Sequence, residues 1–250
     1  SIAEALTNIV WAPLSEGLDS VSLSANWMWP CKNEGEDARL YRAVEACSDF
    51  ACSLGINIPT GKDSLSMTQK YGKDKVYSPG TVIISAGAEV SDIRKVVSPV
   101  LRTGVDSMVY YIDFSFDKLK LGGSAFAQSL DKIGKEVPTV QDSEYFANAF
   151  NAVQELINKE LILAGHDISA GGMITTMLEM NFANTEGGLE VSLDEIPEKD
   201  LVKILFSENP GILIQVEKTD EVEKILKKAG IAFIRLARPC DERHLLIHKD

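Results

Sequence analysis

The stretch VSLSANWMWPCKNEGEDARLYRAVEACSDFACSLGINIPTGKDSLS, residues 21–66, reads as a strand, a helix and a second extended segment. Val21 to Ala25 alternates apolar with small polar side chains, the period of a half-buried strand. Gly35-Glu36-Asp37 opens a helix whose apolar positions Leu40, Val44, Cys47, Ala51 and Leu54 step by four and three. Gly55 ends it, since glycine tolerates the left-handed conformation that closes many helices. Ile56 to Pro59 then feeds a glycine turn, Gly61-Lys62-Asp63-Ser64-Leu65-Ser66. Strand, helix and strand in this order predict an α/β or α+β fold.

The flanking sequence extends that pattern. An amphipathic helix runs through Ile2, Ala5, Leu6, Ile9 and Val10 and stops before Pro13. A strand follows at Thr81 to Ala86, the pattern lapses from Ser98 to Asp106, and a new strand begins at Met108 to Ile112. A domain boundary is placed at the lapse, giving residues 1–100 and 101–250. The second part reads as a helix from about Gly123 to Ile133, a long helix from about Ser143 to Lys159, and a loop from Gly165 to Gly172. A methionine-rich helix then carries Met173, Met177 and Met180. The tail alternates: strand Leu189 to Leu193, a short helix near Leu201, strand Gly211 to Val216, helix Glu221 to Ala229, and strands Phe233 to Ala237 and His244 to His248. No repeat of solenoid period interrupts this order.

Twenty-five basic against thirty-seven acidic side chains leave a formal charge of −12, which repels phosphate backbones and anionic membranes and argues against a nucleic-acid partner. No apolar run approaches the length needed to cross a bilayer, and no basic-then-apolar leader opens the chain. The expectation is a cytoplasmic protein, neither secreted nor anchored. The start at Ser1, already inside a helical pattern, reads as a piece of something longer. Cys31, Cys47, Cys52 and Cys240 show neither a C-x-x-C pair nor a Cys/His cluster of zinc-ligand spacing, so reduced thiols are expected.

Three constellations could carry chemistry. Glu4 and Asn8 stand one helical turn apart away from the apolar stripe, where their oxygens could share a hard cation or simply meet solvent. Gly61-Lys62-Asp63-Ser64 combines a permissive glycine, a cation and a hydroxyl, the ingredients of a phosphate cradle, although composition alone favours a polar turn; it lacks the first glycine of a Walker A loop. His166-Asp167, Ser169 and Gly171-Gly172 precede a helix, whose free amides favour a nucleotide phosphate; Asp167 could instead cap the loop. Trp27 and Trp29 look exposed beside Lys32, Asn33 and Glu34, and suit either a contact surface or core packing. His244 and His248 read as surface or edge residues.

Glu4-Ala5-Leu6-Thr7-Asn8, Leu23-Ser24-Ala25-Asn26-Trp27-Met28, Gly35-Glu36-Asp37, Gly61 through Met67, and His166-Asp167 through Gly172 resemble, in order and spacing over nearly the whole chain, the long-form phosphoribosylformylglycinamidine synthase family. That family lies within the aminoimidazole ribonucleotide synthetase-like, or PurM-like, superfamily. The resemblance implies a partial PurM-like N-terminal domain followed by a PurM-like C-terminal domain, together most of the second of two copies. The family's reaction is the ATP-dependent amidation of formylglycinamide ribonucleotide in purine biosynthesis, with glutamine supplying ammonia through a glutaminase domain that this chain does not match.

By position, Gly61, Lys62, Asp63 and Ser64 inherit the contact with the substrate's ribose phosphate. Glu4, Asn8 and Asp167 match ligands of an auxiliary Mg2+–ADP site, and Ser169 matches a nucleotide contact. The implied cofactors are Mg2+ and ATP or ADP, and the implied partners are the remaining synthetase and glutaminase domains. No residue of this chain inherits a catalytic role, so the piece alone is expected to be inactive. The other readings are a structural or dimerising module of the same superfamily that binds nothing, or another member of the aminoimidazole ribonucleotide synthetase superfamily.

Overall fold

The structure is a computed structural model that describes residues 1–249. The chain forms two compact units: Ser1–Ile9 with Leu14–Glu89, and Val10–Pro13 with the chain from Val90 onward.

In the first unit, α1 (Ile2–Ile9) buries Ile2, Ala3, Leu6 and Thr7. β1 (Ser22–Met28) is the middle of a three-stranded sheet, flanked by β2 (Asn57–Ser64) in parallel and, across the hairpin β3 (Thr68–Tyr71) and β4 (Asp74–Tyr77), by β5 (Thr81–Gly87) antiparallel. A parallel neighbour requires a crossover, which α2 (Glu36–Ser53) supplies. It begins after Gly35 at φ 79° and ends before Gly55 at φ 71°, two left-handed positions that suit glycine.

Two expectations change here. The tryptophans are not exposed: burial alternates along β1, and Trp27 and Trp29 join Ala25 in a core that packs on Leu40, Ala43 and Cys47 of α2. That stripe turns Val44 outward, 43% exposed, because Ala43 rather than Val44 meets the sheet. The β3–β4 hairpin carries no apolar alternation and is mostly exposed, so its turn at Gly72, φ 61°, was the only local mark of it.

The second unit is built on a six-stranded sheet in the order β11-β8-β10-β6-β9-β7. The strands are β6 (Met108–Asp113), β7 (Ala164–Ile168), β8 (Gly188–Ser192), β9 (Gly211–Val216), β10 (Phe233–Cys240) and β11 (Leu245–His248). Only β11 and β8 run parallel; every other neighbouring pair is antiparallel. The central strands β6 and β9 are covered on both faces, which is why they read as continuous apolar runs rather than alternating ones.

On one face, α5 (Gly172–Phe182) and α6 (Leu201–Phe206) close a core containing Val109, Tyr111, Met173, Met177, Met180, Ile204 and Leu213. Burying each methionine contributes about 1.5–3 kcal/mol relative to exposure. On the other face, Tyr110 reaches Glu223 of α7 (Thr219–Lys228), which packs against α4 (Ser143–Asn158), and Phe146 of α4 meets Phe114 edge-on. Asp142 caps α4 by accepting from the Glu144 and Tyr145 amides. The helix expected from Gly123 to Ile133 is only α3 (Ala125–Ser129), since Gly123, Asp131 and Gly134 all take positive φ.

Glu223 is the centre of a polar network. It accepts from Tyr110 Oη at 2.8 Å, Lys227 Nζ at 2.9 Å and the Arg235 guanidinium. Lys227, Arg235 and Tyr110 together hold its carboxyl down at about 2. Burial and the Glu223 bond push the Tyr110 hydroxyl up to about 12.

Candidate functional site

The segment Gly61-Lys62-Asp63-Ser64 is not a turn: it is the end of β2, hydrogen-bonded in parallel to β1. The pairings Ala25 with Gly61, Asn26 with Lys62, Trp27 with Asp63 and Met28 with Ser64 place Lys62 and Ser64 on one face and Asp63 on the other. Glycine is needed at position 61, because a Cβ there would stand 2.0 Å from the Ala25 carbonyl oxygen. Lys62 Nζ donates to Ser64 Oγ at 2.7 Å. A serine hydroxyl that accepts from lysine still has its own proton to donate, so the pair can offer an anion two donors side by side. Gly61, Lys62 and Asp63 are exposed, and β2 is an edge strand, with alternate amides facing away from β1.

In the same unit, Glu4 and Asn8 lie on the exposed side of α1, opposite its buried residues. Both offer oxygen donors of the kind a hard cation takes.

In the second unit, His166 and Asp167 lie on a strand, not in the loop expected there. Among the described residues β7 is the sheet's edge and pairs with β9 alone, His166 with Leu213 and Asp167 with Ile212. An edge strand tolerates polar residues, which is what disguised it. Asp167 is buried, 5% exposed, and supplies a further oxygen donor. His166 Nδ1 stands 3.4 Å from Asp167 Oδ1, and its Nε2 stands 3.1 Å from Glu179 Oε2. The Asp167 carboxylate raises the pKa of the imidazole above its ordinary value, with Glu179 adding to the effect and burial opposing it.

Ser169 is half-buried, and its carbonyl accepts from the Gly172 amide at 3.0 Å. Gly171 and Gly172 take φ 93° and 76°, and a Cβ on Gly172 would stand 2.7 Å from the Leu205 carbonyl oxygen. This close approach fixes the start of α5 against the end of α6. Sequence reasoning missed Glu208. One oxygen of its carboxylate accepts from both the Gly171 and the Ala125 amides, at 2.8 Å each. It therefore already satisfies one of the α5 N-terminal donors, and the polar run Ser207-Glu208-Asn209 ahead of β9 was the signal for it.

Residues 1–89 match the FGAR-AT PurM_N-like domain, and residues 108–245 match the AIR synthase related protein, C-terminal domain. The chain belongs to the AIR synthase-related family. Over 244 residues it is 40% identical to a Caenorhabditis elegans protein named probable phosphoribosylformylglycinamidine synthase, covering 92% of this chain and 18% of that relative. The chain thus spans less than a fifth of the length of that relative. Among solved structures it is similar to T. maritima PurL complexed with ATP, with a TM-score of 0.70 at 14% identity over 99% of this chain and 38% of that one. T. maritima PurL complexed with FGAR gives a TM-score of 0.70 at 16% identity, over 99% and 39%. At these identities the PurL structures show a shared fold, the PurM-like mixed α/β architecture of both units. Among the described residues, no helix is long and apolar enough to cross a membrane.

Proposed function

We propose that this AIR synthase-related chain is a part of a phosphoribosylformylglycinamidine synthase, the ligase that converts formylglycinamide ribonucleotide to its amidine with ATP and glutamine. The observation that carries this reading is the 40% identity to a protein of that name over almost the whole chain. Residues 1–100 and 101–250 serve as the N-terminal-like and C-terminal-like parts of one PurM-like copy. Within it, Gly61, Lys62, Asp63 and Ser64 bind the ribose phosphate of the substrate, for which the Lys62–Ser64 donor pair on an open strand edge is suited.

Glu4, Asn8 and Asp167 hold Mg2+, and Ser169 meets the phosphates of ADP. An all-oxygen donor set fits that cation, which when bound offsets the charge of the nucleotide phosphates. The partners are the remaining synthetase and glutaminase domains of the same enzyme. The four free thiols suit a reducing compartment such as the cytoplasm.

Calorimetric titration with Mg·ADP tests the nucleotide part, on a full-length synthase carrying this chain and stripped of nucleotide. One tight site that is lost in Asp167→Lys, in protein that remains folded by circular dichroism, is the expected outcome. Undiminished binding in that variant would remove the metal role from Asp167.

A further inference from the structure

At the far edge of the second unit's sheet, Glu190 of β8, Cys240 at the end of β10 and His244 just before β11 bring a carboxylate, a thiol and an imidazole together. Their donor atoms all lie within 4.8 Å of one another. The residues Cys240 and His244 are four apart, and Glu190 arrives from the neighbouring strand, so no Cys-to-Cys spacing could disclose the group. His244 is therefore no ordinary surface residue.

One edge of this group has the length that a metal site requires. Cys240 Sγ stands 3.7 Å from His244 Nε2. The sulfur-to-nitrogen edge of a tetrahedral zinc site, built from bonds of about 2.3 and 2.0–2.1 Å, is about 3.6 Å. The other ring nitrogen, Nδ1, stands 3.2 Å from Glu242 Oε2, which orients the ring so that Nε2 faces the sulfur. A carboxylate behind the ligating histidine is the usual outer support of such sites.

The backbone holds these ligands in place. The Leu189 amide donates to the His244 carbonyl at 2.9 Å, and the Gly187 amide to that of Asp241 at 3.2 Å. A Cβ on Gly188 would stand 1.9 Å from the His244 carbonyl oxygen, so only glycine lets the 241–244 turn seat on β8. The nearby cation Arg243 is turned to the carbonyls of Asn181 and Gly187.

We propose that Glu190, Cys240 and His244 bind a divalent transition-metal cation of the Zn2+ class, clipping the β10–β11 turn to β8. A thiolate and a carboxylate neutralise a doubly charged ion, and sulfur with imidazole nitrogen selects it over Mg2+ or Ca2+. Three protein ligands leave a fourth position to water, and the exposed side of Glu190 is the entry path.

The test titrates the reduced, metal-free chain with Co2+ as a spectroscopic probe and then with Zn2+. One equivalent of Co2+ should give thiolate-to-cobalt charge-transfer absorption, which Zn2+ displaces. Cys240→Ser should abolish the band, and the triple variant Cys31→Ser, Cys47→Ser, Cys52→Ser should keep it. His244→Asn, Glu190→Gln and Glu242→Gln should each weaken Co2+ affinity by about tenfold or more. Circular dichroism confirms that each variant is folded. The proposal is overturned by absence of the band in wild type, by its survival in folded Cys240→Ser, or by its loss in the triple variant. Unchanged affinity in both His244→Asn and Glu190→Gln overturns it equally.

Discussion

Gly61 lies directly against the carbonyl oxygen of Ala25, which leaves no room for even a methyl group between β1 and β2. Gly61→Ala must push β2 off its neighbour at the point where Lys62 and Ser64 are presented. The expected cost is about 1–3 kcal/mol, the usual range for overpacking a close contact. Thermal denaturation of the variant beside the wild type measures it.

Trp29 is nearly as constrained, lying in the core beside Ala25 and Trp27 with Gly80 below its ring; a Cβ on Gly80 would stand 2.5 Å from that ring. Trp29→Ala should destabilise the first unit by about 3–5 kcal/mol, as large aromatic truncations in cores do. Denaturant unfolding followed by circular dichroism checks this. A change under 1 kcal/mol, roughly the size of a surface effect, would return Trp29 to the surface role its sequence neighbours suggest.

Glu223 sets an acid-sensitive contact between β6, α7 and β10. Its carboxyl titrates at about 2 instead of the ordinary 4.5, so its contribution is complete above about 4.5 and is lost as the pH falls toward about 2. Glu223→Gln should cost about 1.5–3 kcal/mol at neutral pH, the worth of a hydrogen bond to a charged group. It should also flatten the fall in stability across that acid window. Urea unfolding at stepped pH, wild type against variant, reads both effects; parallel curves would mean that Glu223 is not the group responsible.

How much of this was legible in the sequence follows from where each segment is buried. β6 and β9 are covered on both faces and announce themselves as apolar runs, and Met173, Met177 and Met180 fall on the buried stripe that their spacing predicts. β7 hid because an edge strand can carry His166 and Asp167. β2 hid because its glycine, which usually marks a turn, is there for a close strand approach. The tryptophans misled through their polar neighbours in sequence, although the period of β1 already pointed Trp27 the same way as Leu23 and Ala25. Among candidate site residues, Lys62 and Ser64 could be found from composition. Glu208 left only the polar run 207–209 as a mark, because its partners Gly171 and Ala125 are distant in sequence, and Glu190 joins the near neighbours Cys240 and His244 only through strand pairing.

The central claim is that the Lys62–Ser64 edge receives the substrate phosphate, and steady-state kinetics of a full-length synthase carrying this chain test it most directly. Removing the Ser64 hydroxyl deletes one charge-assisted hydrogen bond, worth about 1.5–3 kcal/mol, which corresponds to roughly ten- to a hundredfold in affinity. The phosphate is remote from the reacting amide, so the loss should fall mainly on the Michaelis constant for the ribonucleotide. Ser64→Ala and Lys62→Ala should each raise that constant by roughly ten- to a hundredfold and leave those for ATP and glutamine nearly unchanged. Unaltered ribonucleotide kinetics in both folded variants would contradict the account.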